Sequence, residues 1–182
     1  VAISPSSFAA ADKTPMELLI QAGIEVVPNP YSRRLTEDEI IAHLEGIDGL
    51  IAGLEPLNRN VLQSASRLKA IARVGIGMDN VDQDAADELN IRVSNTPEGP
   101  TNAVAELCLT ALLALGRQLI PSNTDLHNGT WKKRLGFGLK DLKVLLVGYG
   151  RIGRRFADIL KFFQADILVS DPVISPEELT DG

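Results

Sequence analysis

The sequence has few of the residues that carry disulfide, metal or nucleophilic chemistry. It contains one cysteine, Cys108, and two histidines, His43 and His127, in 182 residues. A lone cysteine cannot form an internal disulfide, and this fits a reducing compartment, so the cytoplasm is the expected location. Cys108 stands among apolar residues with no His or Lys beside it, and reads as a buried, inert thiol. No Cys, His, Asp or Glu cluster has metal-ligand spacing, so no metal is expected. Asp79 and Asp82, on either side of Asn80, read as loop bracing and helix capping. An excess of positive charge is also missing. Lys and Arg number 18 against 24 Asp and Glu, a net charge of −6, which argues against a nucleic-acid partner. Trp131 with Lys132, Lys133 and Arg134 is too small a basic group to reverse that. The longest apolar run, "AVAELCLTALLALG" (103–116), is interrupted by Glu106 and falls short of the roughly 20 residues of a bilayer span. No membrane association is expected. The start, "VAISPSSF", lacks the basic-then-apolar order of a secretory signal.

What is present is alternation. Short apolar runs at 1–4, 24–27, 49–53, 68–74 and 91–95 read as five strands. Helical segments at 14–23, 36–46, 58–66 and 82–90 lie between them. In "TPMELLIQAG" Thr14 reads as N-cap, Pro15 as first helical residue, Glu17 as capping-box partner and Gly23 as stop. "TEDEIIAHLEG" repeats the device with Thr36, Glu39 and Gly46. Strands alternating with helices imply an α/β fold with a parallel sheet covered on both faces. "NTPEGP" (95–100) breaks the pattern. A long apolar helix over 101–119 follows; being apolar nearly all round, it is expected to be buried between domains. Residues 121–142 read as a long connection or interaction arm. From 143 the pattern restarts, which divides the chain into a first domain over 1–100 and a second, incomplete one over 101–182.

The restart, "KVLLVGYGRIGRRFADILKFFQADILVSD", is a strand, a glycine turn, a helix and a strand. Gly148, Gly150 and Gly153 have G-x-G-x-x-G spacing, and Asp171 ends the next strand 18 residues after Gly153. Alone the spacing is weak, and a glycine-rich turn in an unrelated α/β protein competes with it; the flanking elements and the acid give it meaning. Gly148 permits the tight turn, Gly150 lets a pyrophosphate approach the backbone, and Gly153 lets helix and strand pack closely. The helix start offers N–H groups and the positive dipole end to phosphate. Asp171 accepts from the hydroxyls of an adenosine ribose and repels a 2′-phosphate, which favours NAD over NADP.

Five stretches, "ARVGIGMDNVD" (72–82), "VSNTPEGPTNAVAEL" (93–107), "ALGR" (114–117), "NGTW" (128–131) and "VGYGRIG" (147–153), make the sequence similar to the D-isomer-specific 2-hydroxyacid dehydrogenases, most of all their D-3-phosphoglycerate dehydrogenase branch. The resemblance implies a flavodoxin-like substrate domain of five parallel strands and a Rossmann NAD-binding domain, with hydride passing between nicotinamide and a small D-2-hydroxy or 2-oxo acid, 3-phosphoglycerate among the candidates. It implies that Gly75, Ile76, Gly77 and Asn95 bind substrate, with Ile76 beside the nicotinamide. It assigns the cofactor to Gly148, Tyr149, Gly150, Arg151, Ile152, Gly153, Asp171 and Pro172. It also implies a homodimer through the NAD-binding domain and the 121–142 arm. The family's catalytic arginine, glutamate and histidine have no counterpart before residue 182, so the chain reads as a fragment, inactive by itself. A NAD-sensing regulatory protein on the same fold is the alternative. One departure concerns substrate: Leu54, Glu55 and Pro56 stand where the branch often has an arginine–serine pair, and a glutamate there would repel phosphate. Arg33 and Arg34 read as solvated, as do His43 and His127.

Overall fold

The computed structural model describes residues 1–140 and 142–175. The chain divides into two compact units, Val1–Gly99 and Pro100–Gly182; the first ends one residue before the expected boundary.

The first unit contains β1 (Ala2–Ile3), α1 (Thr14–Gln21), α2 (Glu37–His43), β2 (Gly49–Ala52), α3 (Arg59–Ser64), β3 (Ala70–Arg73), α4 (Gln83–Glu88) and β4 (Arg92–Asn95). The four strands form one parallel sheet in the order β1-β2-β3-β4. The fifth expected strand, residues 24–27, contributes a single parallel bridge from Val27 to Ala2. Its place beside β1 preserves the flavodoxin-like order, but Pro28 follows at once and has no N–H to continue the ladder. The capping box on α2 forms as the sequence implies: Thr36 Oγ1 accepts from the Glu39 N–H and Glu39 accepts from the Thr36 N–H. α1 differs. Its N-cap position is Lys13, and the Asp12 carboxylate accepts from the Thr14 N–H and hydroxyl. An ionised side chain two residues upstream thus takes the role expected of Thr14. Asn58 and Asp82 cap α3 and α4 through Val61 and Ala85 N–H.

Leu50 and Ile71 from the sheet interlock with Ile40, Leu44, Leu57, Val61 and Leu62 from the helices and loops. Each such aliphatic side chain stabilises the unit by about 1.5–3 kcal/mol on burial.

The second unit contains α5 (Thr101–Gly116), α6 (Leu119–His127), β5 (Lys143–Val147), α7 (Arg151–Phe162) and β6 (Asp166–Ser170). β5 and β6 pair in parallel, with Val147 opposite Ser170. Leu146, Ala157 and Leu160 form its core with Leu109, Leu112, Leu113 and Phe156 packed against them. Two expectations change here. The single helix over 101–119 breaks at Gln118, which takes the left-handed conformation, and α6 follows inside the expected arm. α5 buries only Ala105 and Gly116 fully, leaving Leu107 and Leu115 exposed. Its apolar circumference exceeds what α7 alone covers.

Two stability predictions follow from these contacts. Ile71 is 1% exposed at the centre of the sheet, so Ile71→Ala is expected to destabilise by about 2–5 kcal/mol in urea titrations of the full-length protein. Arg33 grips both oxygens of Glu39 at 2.8 and 2.5 Å, which with the Thr36 N–H pulls the Glu39 carboxyl from 4.5 to about 2. A depressed carboxyl pKa stabilises above its unfolded value and loses that contribution as pH falls through the folded one. Glu39→Gln is therefore expected to lower the melting temperature at pH 7, with the gap to wild type closing as pH falls from 4.5 towards 2.

Candidate active-site half-sites

Each unit carries one candidate half-site, at the carboxyl ends of its own parallel strands, where backbone N–H groups and loops are free to meet ligand.

In the first unit β3 runs into residues 74–77. Period-2 alternation turns Ile71 and Arg73 to the covered side of β3, and Arg73 is 8% exposed. Its guanidinium lies directly beneath the loop. It donates to the Val74 carbonyl, and it occupies the space that a Cβ at position 75 would need. Gly75 has φ +138°, a region closed to other residues. The loop is pinned from β4 as well. Thr96 Oγ1 accepts from the Gly75 N–H at 2.8 Å, the Thr96 N–H donates to the Gly75 carbonyl, and Asn95 Nδ2 donates to the Ile76 carbonyl at 2.8 Å. So the four expected substrate residues take three distinct parts. The Gly75 amide is engaged by Thr96. The Ile76 and Gly77 amides have no acceptor among the described residues. Asn95 holds the loop through its side chain. Sequence reading missed Arg73 and Thr96. The signal for Arg73 was available: a cation on the buried phase of an apolar strand.

A hollow of about 330 Å³ adjoins this loop at Val74, lined also by Ser4–Ser7, Arg34, Gly53, Leu54, Glu55 and Arg73. Arg33 and Arg34 therefore part company. Arg33 is committed to Glu39 and stacks on Tyr31, whereas Arg34 faces the hollow. His43 is half-buried with Nε2 at 3.3 Å from the Ile3 carbonyl, rather than solvated.

In the second unit the β5 strand enters the glycine turn. Gly148 has φ +95°, its N–H donates to the Ser170 carbonyl, and a Cβ on Gly153 would collide with the Gly148 carbonyl. Space around Gly150 is open. The N–H groups of Gly150, Ile152 and Gly153 have no acceptor among the described residues, and α7 begins here with no acidic residue in its first turn. The turn fits a diphosphate: it offers donors, a positive helix end and backbone without Cβ. Asp171 Oδ2 accepts from the Tyr149 N–H at 2.6 Å, and Oδ1 accepts from the Val173 N–H at 2.8 Å. With the Ile174 N–H, which donates to Oδ1 at 3.3 Å, these bonds hold its carboxyl below the usual carboxylate range, so it is ionised at neutral pH with Oδ2 the less engaged oxygen. Tyr149 lies under the Arg154 guanidinium at 5.1 Å, and Pro172 is exposed at the rim. Arg151 opens the helix.

The profile of the D-isomer specific 2-hydroxyacid dehydrogenase catalytic domain matches residues 7–178. The chain belongs to this family. Among curated family members, it is 35% identical over 164 residues to the D-3-phosphoglycerate dehydrogenase of Sus scrofa, covering 88% of this chain and 30% of that protein. It is 31% identical to the glyoxylate reductase of Thermococcus onnurineus, covering 85% and 52%. The chain thus spans about a third to a half of the curated relatives it matches. Among solved family folds, the TT0316 protein of Thermus thermophilus superposes with a TM-score of 0.83 at 30% identity, over 96% of this chain and 57% of that one. The NAD+-bound 3-phosphoglycerate dehydrogenase of Entamoeba histolytica does so with 0.79 at 28%, over 97% and 55%. The fold class is the family's: a flavodoxin-like unit and a Rossmann-type βαβ unit.

Gly153→Ala tests the turn. Its methyl group would push α7 away from Gly148, and dinucleotide binding measured by calorimetry on the full-length protein is expected to weaken at least tenfold with the fold retained by circular dichroism.

Proposed function

We propose that this chain supplies the substrate-carboxylate loop and the adenosine-side turn of an NAD-dependent D-2-hydroxyacid dehydrogenase that works as a homodimer. The reaction converts a 2-oxo acid, NADH and a proton into a D-2-hydroxy acid and NAD+, and runs in either direction. The observation that carries the reading is the presence in one family chain of two anion-directed turns. The first offers the Ile76 and Gly77 amides; the second offers the start of α7 with the ionised Asp171. Names of relatives support the chemistry, since they include D-3-phosphoglycerate dehydrogenase and glyoxylate reductase.

Bound nicotinamide supplies or accepts the hydride. The residues of this chain bind and orient. Ile76 and Gly77 amides receive the substrate carboxylate, and the Arg73 charge beneath them adds attraction in a site of low dielectric. Asn95 and Thr96 hold the loop in that shape before substrate arrives, so binding orders little. Gly150, Ile152 and Gly153 receive the pyrophosphate, and Asp171 the ribose. Neither histidine of this chain is assigned the proton. His43 faces the Ile3 carbonyl, and His127 Nδ1 is 2.9 Å from the Asn123 carbonyl. A three-carbon acid such as 3-phosphoglycerate is supported by the names of the Sus scrofa and Entamoeba relatives. The dimer is supported by the apolar surface of the second unit, where Leu107, Leu115 and Ile120 are exposed and Trp131 and Leu135 are 86% and 90% exposed; Trp is enriched at such interfaces.

Full-length protein mixed with NADH and a panel of 2-oxo acids is expected to oxidise the cofactor, and failure with every acid would sink the reading. Asp171→Ala is expected to weaken NAD binding more than NADP binding; equal losses would count against the ribose role. Light scattering after gel filtration should return twice the chain mass, and a monomer at micromolar concentration would remove the dimer.

A further inference from the structure

β2 and β3 stay paired as far as the Val74 N–H, which donates to the Ala52 carbonyl at 2.9 Å. There the two chains part. The chain after β3 turns off through Gly75 at φ +138°. The chain after β2 turns at Gly53, whose N–H goes to the Ser4 hydroxyl and the Glu55 carboxylate. They meet again at Leu57, whose N–H donates to the Asn80 carbonyl at 2.8 Å and whose carbonyl accepts from the Asp82 N–H at 3.0 Å. Between these two points the Gly53 and Glu55 carbonyls receive no backbone N–H among the described residues. The side chain of Asn80 serves both: Nδ2 donates to the Gly53 carbonyl at 3.2 Å and to the Glu55 carbonyl at 2.8 Å. A primary amide suits this place because it carries two N–H bonds on one nitrogen, whereas a hydroxyl carries one donor and an ionised carboxylate none.

Asn80 is half-buried and does not itself line the hollow, but the stretch it holds does, at Gly53 and at Leu54, which is exposed. Val74, at the head of the loop that carries the Ile76 and Gly77 amides, lines the same hollow. We propose that Asn80 is a positioning residue for the substrate. It acts by holding residues 53–55 against the 75–80 segment, which sets the spacing between the amides that meet the carboxylate and the wall that meets the rest of a short acid. The proposal rests on the dehydrogenase reading above and deepens it. The fold does not need this side chain, since any residue at position 80 offers its carbonyl to Leu57, and Leu57 and Val81 are buried. Without the carboxamide the two carbonyls turn to water and the 53–55 stretch loosens. Its ordering is then added to the cost of binding.

The test uses full-length protein, NADH and two acids of different reach. Glyoxylate ends at its second carbon, whereas hydroxypyruvate carries a third. Asn80→Ala is expected to raise KM for hydroxypyruvate about fivefold or more, with KM for glyoxylate and kcat for both within about twofold of wild type. Asn80→Asp keeps the shape and removes both donors; it is expected to do the same, and is read instead if the alanine variant does not fold. A lower melting temperature with both KM values unchanged makes Asn80 a brace only and overturns the proposal. An equal rise for both acids overturns it too, because the effect then lies on the carboxylate loop alone. If wild type oxidises NADH with neither acid, the dehydrogenase reading fails. Calorimetric binding of D-glycerate and glycolate to wild type and variant then decides Asn80 by itself. Weakening confined to D-glycerate supports the proposal; equal weakening, no weakening, or no binding to wild type overturns it.

Discussion

The guanidinium of Arg73 fills the volume a side chain at position 75 would occupy, and the first unit's site is arranged around that fact. Gly75 must be glycine for two separate reasons, space and φ. Because the loop then folds over a buried cation, its next two amides emerge above positive charge. Thr96 and Asn95 fix it from the neighbouring strand. In the proposed reading a carboxylate would meet backbone here, with the cationic charge of Arg73 one layer below.

The second unit solves a similar problem without a buried cation. Its positive end comes from α7 itself, and the turn before it is kept tight by Gly148 and Gly153. Asp171 closes that turn by accepting from Tyr149 on one side and Val173 on the other. The same bonds that shape the loop also keep the acid ionised.

Most of the fold was legible because its signals are local. Strand–helix alternation, the Thr36 capping box and the glycine turn with its downstream acid each depend on residues near in sequence, and each appears where the pattern implies. The departures come from competing neighbours and from tertiary geometry. Residues 24–27 have strand composition but sit at a sheet edge before a proline. Asp12 outcompetes Thr14 as a cap because it is charged and two residues upstream. The break at Gln118 lies between Gly116 and Pro121, yet the left-handed residue is Gln118 itself and not the glycine. At the site, residue types were readable but allegiances were not: that Arg33 is spent on Glu39 while Arg34 faces the hollow depends on tertiary geometry. So does the Gly75 amide, which belongs to Thr96 rather than to ligand. Glu55 was legible as a departure from its branch, but only burial reveals that it turns inward to Ser4 and Gly53.

The short segment beside β1 has one more consequence. An open parallel sheet has two edges, and an unpaired edge invites a strand from another molecule. On this edge Val27 makes one bridge, Pro28 offers no donor, and the Asn29 side-chain amide donates to the Ser4 carbonyl. On the other, β4 is short and has exposed Arg92, Ser94 and Asn95. What looks like a failed fifth strand thus leaves this edge a poor template for another strand, with a pyrrolidine ring ending the ladder.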